Sequence, residues 1–293
     1  MLALDLGVFQ RRAHFPSMKE AIGWSALWIG LALLFDLFIW FKLGHVKALE
    51  FLTGYLVEEA LSVDNIFVFV VIFTYFAVPA QLQHRVLFWG VLSAIGLRAF
   101  FIVVGAALVA QFHWILYLFG VFLIVTAVRL ALQEETEIHP DKNPVVRFCR
   151  KFFPVTQEYE GSKFFVHKDK KRFITPLFLV LVMIETTDIA FATDSIPAIF
   201  AITRDPVIIY TSNIFAILGL RTLYFVLANV MKKFHYLKIG LSAVLGFIGI
   251  KMLIEPWLKI SISLSLLVIF IALTIAILAS LLSKKKMSAL DKS

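Results

Sequence analysis

The chain has 293 residues, of which 60% are hydrophobic and 16% charged. An average soluble domain is ~45–50% apolar and ~25% charged, so this composition excludes a disordered chain, a coiled coil and most soluble enzymes and points to a polytopic membrane protein. A single cysteine excludes a disulfide framework and any Cys-based zinc or iron–sulfur site, and the net charge of +8 fits basic loops beside a bilayer better than nucleic-acid binding.

The first ten residues, MLALDLGVFQ, are apolar but too short to span, and no basic n-region or cleavage site precedes or follows them. They read as the tail of a further helix, and with the basic segment after them they form a unit at 1–21. Apolar runs near 20 residues or longer then fall at 22–41, 48–77, 85–110, 114–132, 173–202, 206–230, 236–254 and 260–282. This predicts an all-α polytopic transmembrane bundle of about eight spans. The second and fifth runs are near 30 residues, long enough to be tilted or broken. Trp24, Trp28, Trp40, Tyr75, Trp89, Trp114, Tyr236 and Trp257 cluster near run ends, as interfacial anchors do.

Alternating the connections between the two faces gives one side 20 Lys and Arg residues and the other 4. Arg11, Arg12, Lys19, Arg85, nine in 133–172, the 232–238 lysines and the C-terminal lysines share the basic side. Lys42, Lys47, Arg204 and Lys259 lie opposite. The positive-inside asymmetry places the C-terminus and the long loop in the cytoplasm of a bacterial inner-membrane protein. Residues 133–172 mix both charge signs with aromatics, and VVRFCRKFFPV within them is basic and amphipathic. Such a segment fits a lipid surface beside anionic headgroups, with a protein-partner site as the sharper alternative.

ALSVDNIF (60–67) and AFATDSIP (190–197) align with Asp64 on Asp194 and, at the same offset of 130, Glu58 on Asp188. IGLR (95–98) matches LGLR (218–221), pairing Arg98 with Arg221, and 120–130 resembles 242–253, pairing Arg129 with Lys251. Three elements match in order, and each unit holds three spans, so the second copy enters the membrane from the opposite face. This is a 3+3 inverted-topology repeat, a signature of many secondary transporters, with the substrate site between the copies. The expected organisation is 22–47 for the first span and outer loop, 48–132 for repeat 1, 133–172 for the cytoplasmic loop, 173–254 for repeat 2, and 255–293 for the last span and basic tail.

A carboxylate in hydrocarbon costs ~2.5–3.5 kcal/mol on insertion scales, so each one needs a partner or a role. Seven candidates lie within the runs: Asp36, Glu58, Glu59, Asp64, Glu185, Asp188 and Asp194. Asn65, Thr193 and Ser195 add neutral oxygens beside them, with Ser62, Thr186 and Thr187. Arg98 and Arg221 balance some of this charge as buried ion pairs. The acids outnumber them, and the remainder must be protonated, meet water or bind cations. All seven His fall in loops or at run ends. A site of carboxylate and neutral oxygen suits magnesium, calcium or manganese rather than zinc or copper. Monovalent ions or protons alone are the simpler alternative.

On a straight helix Asp188 and Asp194 point about 120° apart. One ion held by both requires the helix to break between them. Pro197 predicts such a break at 193–197, because it lacks an N–H and opposes the Thr193 carbonyl. Glu59 points about 100° from Glu58. Asp36 stands outside the repeat as either a pore-edge or a helix-end residue.

GYLVEEALSVDNIFVFVVIF (54–73) with AVPAQLQHRVLFWG (77–90), and ETTDIAFATDSIPAIFAIT (185–203) with TSNIFAILGLRTLYFVL (211–227), resemble the two signatures of the TerC family of bacterial integral membrane proteins. The resemblance runs from about residue 3 to 283, its length and loop match the Alx branch, and the three-span duplication is similar to that of LysE-type exporters. Family members are linked to manganese efflux, tellurium-ion resistance and metal supply to exported enzymes. Motif match assigns the family's site residues to Glu58, Asp64, Asn65, Glu185, Asp188, Asp194 and Ser195. Thr186 and Thr187 depart from the residues relatives often carry, and the opening hydrophobic helix of the branch is mostly missing. The resemblance implies export of Mn²⁺, the transported cation, with Arg98 and Arg221 balancing charge and Asp36, Glu59 and Thr193 accessory. Tellurite is an anion that such a site should repel. The alternative is a non-transporting membrane scaffold that acts through a protein partner at 133–172. An intramembrane aspartyl protease is disfavoured because no glycine-rich motif accompanies the second Asp.

Overall fold

A computed structural model describes residues 18–132, 143–168, 171–227 and 236–290. The expected helix remnant at the N-terminus and the first part of the long loop, 133–142, lie outside them. In chain order the described residues form α1 (Met18–Leu43), α2 (His45–Tyr75), α3 (Ala80–Gln111), α4 (Ile115–Leu132), α5 (Pro144–Phe152), β1 (Phe165–Lys168), β2 (Lys171–Ile174), α6 (Pro176–Phe200), α7 (Pro206–Leu227), α8 (Leu237–Ile254) and α9 (Ile262–Leu290). All the long helices fall on the predicted apolar runs, and the all-α polytopic architecture is the one observed.

Six helices (α1, α3, α4, α6, α8 and α9) are long and apolar enough to cross a membrane by length and composition. In α7 the stretch Pro206–Leu220 is a shorter apolar helix. α2 is 31 residues long but carries Lys47, Glu50, Glu58, Glu59 and Asp64. Charges at this density are tolerated in a bundle only where they face protein or water rather than lipid.

The predicted break at 193–197 is not present. α6 is helical from Pro176 to Phe200, with Pro197 inside its last turn. So near the helix end, the proline deprives only the Thr193 carbonyl of its usual partner, and the remaining ladder holds. α2 is likewise continuous through 62–67. Asp188 and Asp194 therefore keep the angular separation of a straight helix, and so do Glu58 and Asp64.

The helices of 48–132 pack chiefly on those of 173–254. α2 lies against α6, α7 and α8, α3 against α6 and α7, and α4 against α8 and α6. α1 covers α2 and α7, while α9 covers α8 and α2. Small residues set the closest approach, as is usual where helices associate without a hydrophobic driving force. A Cβ on Gly249 would lie 2.8 Å from the Gly120 carbonyl oxygen, and one on Gly120 would lie 3.1 Å from the Gly249 carbonyl oxygen. Ser242 Oγ donates to the Ala127 carbonyl at 2.7 Å along the same seam.

At one end of the bundle the start of α2, His113, the 203–205 loop and Glu255 after α8 meet. At the other, the 143–175 segment sits on the α2–α3 turn. There Tyr159 donates to the Phe76 carbonyl at 2.7 Å and Arg85 donates to Ser162 at 2.9 Å. Within that segment VVRFCRKF is helical in α5, and an antiparallel hairpin pairs Phe165 with Ile174 and Lys168 with Lys171.

The α4–α8 seam gives a direct test. Gly249→Ala places a methyl against backbone, which cannot rotate away, and should destabilise the protein by about 1–3 kcal/mol. The check is a lower thermal midpoint in detergent. Gly23→Ala, where nothing among the described residues lies within 4 Å of the added carbon, should not lower the midpoint, because alanine is the better helix former.

Candidate functional site

The centre of the bundle is organised by one cation. Arg98 projects from α3 with 1% of its side chain exposed. Its Nη1 donates to Glu58 on α2, to Ser195 Oγ on α6 at 3.0 Å and to Asn213 Oδ1 on α7 at 2.6 Å. Its Nη2 lies 3.6 Å from Asp188 Oδ1 on α6. Glu58, Asp188, Ser195 and Asn213 are all buried. One guanidinium thus joins four helices and shares its charge between two acids that the sequence repeat places in register. A guanidinium suits this role because its planar fork supplies several donors at fixed angles and stays charged when buried.

The group is not fully satisfied. Arg98 Nε, Asp188 Oδ2, Ser62 Oγ and Asn65 Oδ1 are buried without a hydrogen-bond partner among the described residues. Glu58, Ser62, Asn65 and Phe69 recur at helical spacing along one buried face of α2. Phe69 belongs to a crevice that starts at Asp188 and runs toward the basic-loop end. Its other walls are Leu87, Gly90, Val91 and Ala94 on α3, Ile184 on α6 and Leu220 on α7. Glu185, one helical turn before Asp188, accepts a hydrogen bond from Ser93 on α3.

In the second pair in register, Asp64 lies within electrostatic reach of Asp194 and of Lys238. Asp194 Oδ1 accepts from Thr126 on α4 at 3.2 Å, with Arg129 of the same helix also in range. The seven predicted acids therefore do not converge on one point. Among the described residues, no group of three or more His, Cys, Asp or Glu is arranged to hold a metal ion. The reason is the unbroken course of α2 and α6, which turns the two pairs toward different neighbours.

The accessory residues are dispersed. Glu59 faces α7, where a Cβ on Gly219 would lie 3.8 Å from its Oε1. Asp36 Oδ1 is buried on α1 without a hydrogen-bond partner among the described residues. Thr193 is exposed and donates to the Ile189 carbonyl of its own helix at 3.0 Å, away from the Arg98 group. The backbone of Arg221 lies in α7, but its side chain is outside the described ones. Asn213, Ser93 and Thr126 do not stand out from the sequence as site residues. The available signal for Asn213 is an amide inside an apolar run. Isolated serine and threonine carry no such signal, since helices commonly absorb them through their own carbonyls.

The end opposite the basic loops is tied by polar bonds. Lys47 Nζ lies 2.9 Å from Glu50 Oε2 and 3.2 Å from Asp205 Oδ2, and Thr203 donates to Glu50 at 2.5 Å. Arg204 reaches His113 at 3.1 Å and Glu255 at 3.4 Å. Burial alone would raise the Asp205 carboxyl. The hydrogen bond and charge of Lys47, with the Val207 and Ile208 backbone N–H groups, hold it below the usual carboxylate range. A depressed folded value means that the stabilisation is fully present above the unfolded value of ~3.9 and is lost as the pH falls through the folded one. This tie is therefore closed across the neutral range.

A family profile described as "Integral membrane protein TerC family" matches residues 43–288. A Myxococcus xanthus protein named "Uncharacterized membrane protein STKORF319" is 53% identical over 285 residues, covering 97% of this chain and 89% of its own. The Escherichia coli K12 protein named "Putative membrane-bound redox modulator Alx" is 50% identical over 279 residues, covering 92% and 87%. A Rickettsia bellii protein named "Uncharacterized membrane protein" is 43% identical over 284 residues, covering 97% and 94%. No solved structure matches. The profile spans both signature regions and the helices that frame Arg98, and the chain belongs to the TerC family of integral membrane proteins.

Proposed function

We propose that this protein is a multi-pass carrier of the bacterial inner membrane that exports a hard divalent cation, Mn²⁺ in the first instance. The observation that carries the reading is Arg98, which is shared by Glu58 and Asp188 across two halves of the chain. A buried arginine between two carboxylates from opposing units serves as an internal substitute for a divalent ion. It neutralises the acids while the site is empty and leaves them when a cation arrives. Asp188 Oδ2, Ser62 Oγ and Asn65 Oδ1 are buried oxygens with no partner among the described residues, the donor type that suits manganese, magnesium and calcium.

The two acid pairs in register, and the packing of 48–132 on 173–254, support a pair of inverted three-helix units with the substrate at their interface. The excess of Lys and Arg on one side assigns the basic loops to the cytoplasm. On that assignment the walls of the crevice lie on the cytoplasmic side of Asp188, and the Lys47–Glu50–Asp205 tie lies at the outer end. A cation enters from inside, displaces Arg98 and leaves once the outer tie parts. Carboxylate ligands bind metal only when deprotonated, so affinity falls as the pH is lowered.

A second reading, a non-transporting scaffold, draws on the absence of a converged ligand set among the described residues and on the docked 143–175 segment. The Escherichia coli relative is named a redox modulator, and a dithiol form of such a role meets a limit in this sequence. Its one cysteine, Cys149, has no second thiol for an intramolecular dithiol–disulfide couple.

Inside-out vesicles separate the readings. Wild-type protein should take up Mn²⁺, with uptake weakening as the external pH is lowered. Asp188→Asn should reduce the rate by at least about tenfold at matched protein level, equivalent to ~1.4 kcal/mol. Absence of flux in folded wild-type protein would reject the carrier and favour the scaffold, whose phenotype should then depend on 143–175 and survive Asp188→Asn.

The outer tie has its own readout. In a Cys149→Ser background, a cysteine at Ser212, fully buried on α7, should react slowly with a membrane-impermeant maleimide added from outside. Lys47→Ala should raise that labelling rate severalfold. An unchanged rate would deny that the tie closes the path.

A further inference from the structure

The transport reading does not use α5, whose outer surface is unusual. At ~100° per residue, three sectors divide its circumference. Val146 and Cys149 form a buried sector packed on α6. Val145, Phe148 and Phe152 form a second, apolar and exposed at 39%, 56% and 59%. Arg147, Arg150 and Lys151 form a third, basic and exposed, that borders the phenylalanines at Lys151. The Phe148 and Phe152 rings lie 4.4 Å apart, and Lys151 Nζ sits 5.9 Å from the Phe152 ring centroid. Exposed aromatics backed by a cationic sector have no reason to face water alone.

The position of α5 indicates what covers it. Its N-cap, Asn143, accepts from the Val145 and Val146 N–H groups at 2.9 and 3.2 Å. The same side chain donates to Thr186 Oγ1 on α6 at 3.1 Å. Thr186 is ten residues into α6, a helix long and apolar enough to cross a membrane. That places it roughly 15 Å along the helix axis from Pro176. α5 thus lies alongside the basic-loop half of a membrane helix rather than out in solution. Its phenylalanines and its basic sector are both exposed beside that helix.

We propose that α5 is an interfacial seat for anionic phospholipid, with Phe148 and Phe152 in the acyl boundary and Arg147, Arg150 and Lys151 against the phosphates. The occupant is a lipid because the segment is tethered beside the bilayer and its charge complements an anionic leaflet. Through Asn143 the seat is fastened to Thr186, adjacent to Glu185 and two residues from Asp188, so lipid occupancy steadies the helix that carries the acids. The proposal does not depend on what is transported.

The test uses the full-length protein with Cys149→Ser and Phe152→Cys, an environment-sensitive fluorophore at position 152, and no transport readout. It is reconstituted in phosphatidylcholine nanodiscs with increasing phosphatidylglycerol. The expected result is a blue-shifted emission that grows with the anionic fraction and is quenched by lipids labelled near the headgroup. Lys151→Gln should raise the phosphatidylglycerol fraction needed for half the shift about fivefold, the weight of one basic residue at a charged surface. The label and the Lys151 substitution sit at exposed positions, and the thermal midpoint of the Cys149→Ser background, whose change is at a buried position, is matched to wild type before labelling. An emission equal in neutral and anionic bilayers, or unchanged when all three basic residues are neutralised, would overturn the proposal. A label that stays in water with both lipids would also overturn it and leave the face to a protein partner.

Discussion

A charge buried at the centre of a membrane bundle has to be answered locally, and in this protein one arginine answers for four helices. Arg98 is 1% exposed and bridges Glu58, Asp188, Ser195 and Asn213. Removing one member of such a group strands its partners in low dielectric, at a cost of about 3–5 kcal/mol. The same balance makes the arrangement switchable. A buried ion pair is nearly even between desolvation and attraction, so another cation of suitable geometry can take the arginine's place provided the displaced guanidinium finds water or new acceptors as it leaves. The orphaned oxygens of Asp188, Ser62 and Asn65 show that the packing around Arg98 stops short of full satisfaction. Buried polar groups of this kind call for a partner such as a water or an ion.

The backbone that holds this group is comparatively rigid. α2 and α6 run unbroken past their acids, and α4 meets α8 through Gly120 and Gly249 at backbone-to-backbone distance. Motion is therefore better sought in how whole helices shift against one another than in the unwinding of one of them. The polar ties at the end opposite the basic loops involve partly exposed side chains from the starts and ends of four segments. Ties of this kind, near the surface and individually weak, separate at much lower cost than the glycine seam.

Much of the fold is legible in the sequence because lipid leaves the chain few choices. Every long helix falls on an apolar run, and the meeting of Lys47, His113, Asp205 and Glu255 near one end agrees with the alternation counted from Lys and Arg. The in-register pairs Glu58–Asp188 and Asp64–Asp194 can also be read from an offset in the sequence, and the members of each lie within electrostatic reach of one another. One ion shared by Asp188 and Asp194, expected only with a helix break near Pro197, finds no converged site among the described residues, because a proline in a last turn need not cause that break. Asn213 and Ser93 stay hidden because a hydrogen bond between distant helices leaves no periodic trace. Thr193 belongs to the motif, but helical phase turns it outward. Sequence distance along a motif is a poor guide to which face of a helix a residue occupies, and the angular arithmetic that separates Asp188 from Asp194 is the better one.

The central claim is that Arg98 and a divalent cation compete for the same two carboxylates. Equilibrium Mn²⁺ binding to the purified protein, followed by loss of the free-ion electron paramagnetic resonance signal, tests it most directly. The account predicts saturable binding in wild type, tighter binding in folded Arg98→Met, where the internal competitor is gone, and none in the double variant Arg98→Met/Asp188→Asn. Binding in Arg98→Met no tighter than in wild type, with the fold verified, would contradict it and reduce Arg98 to a structural clamp.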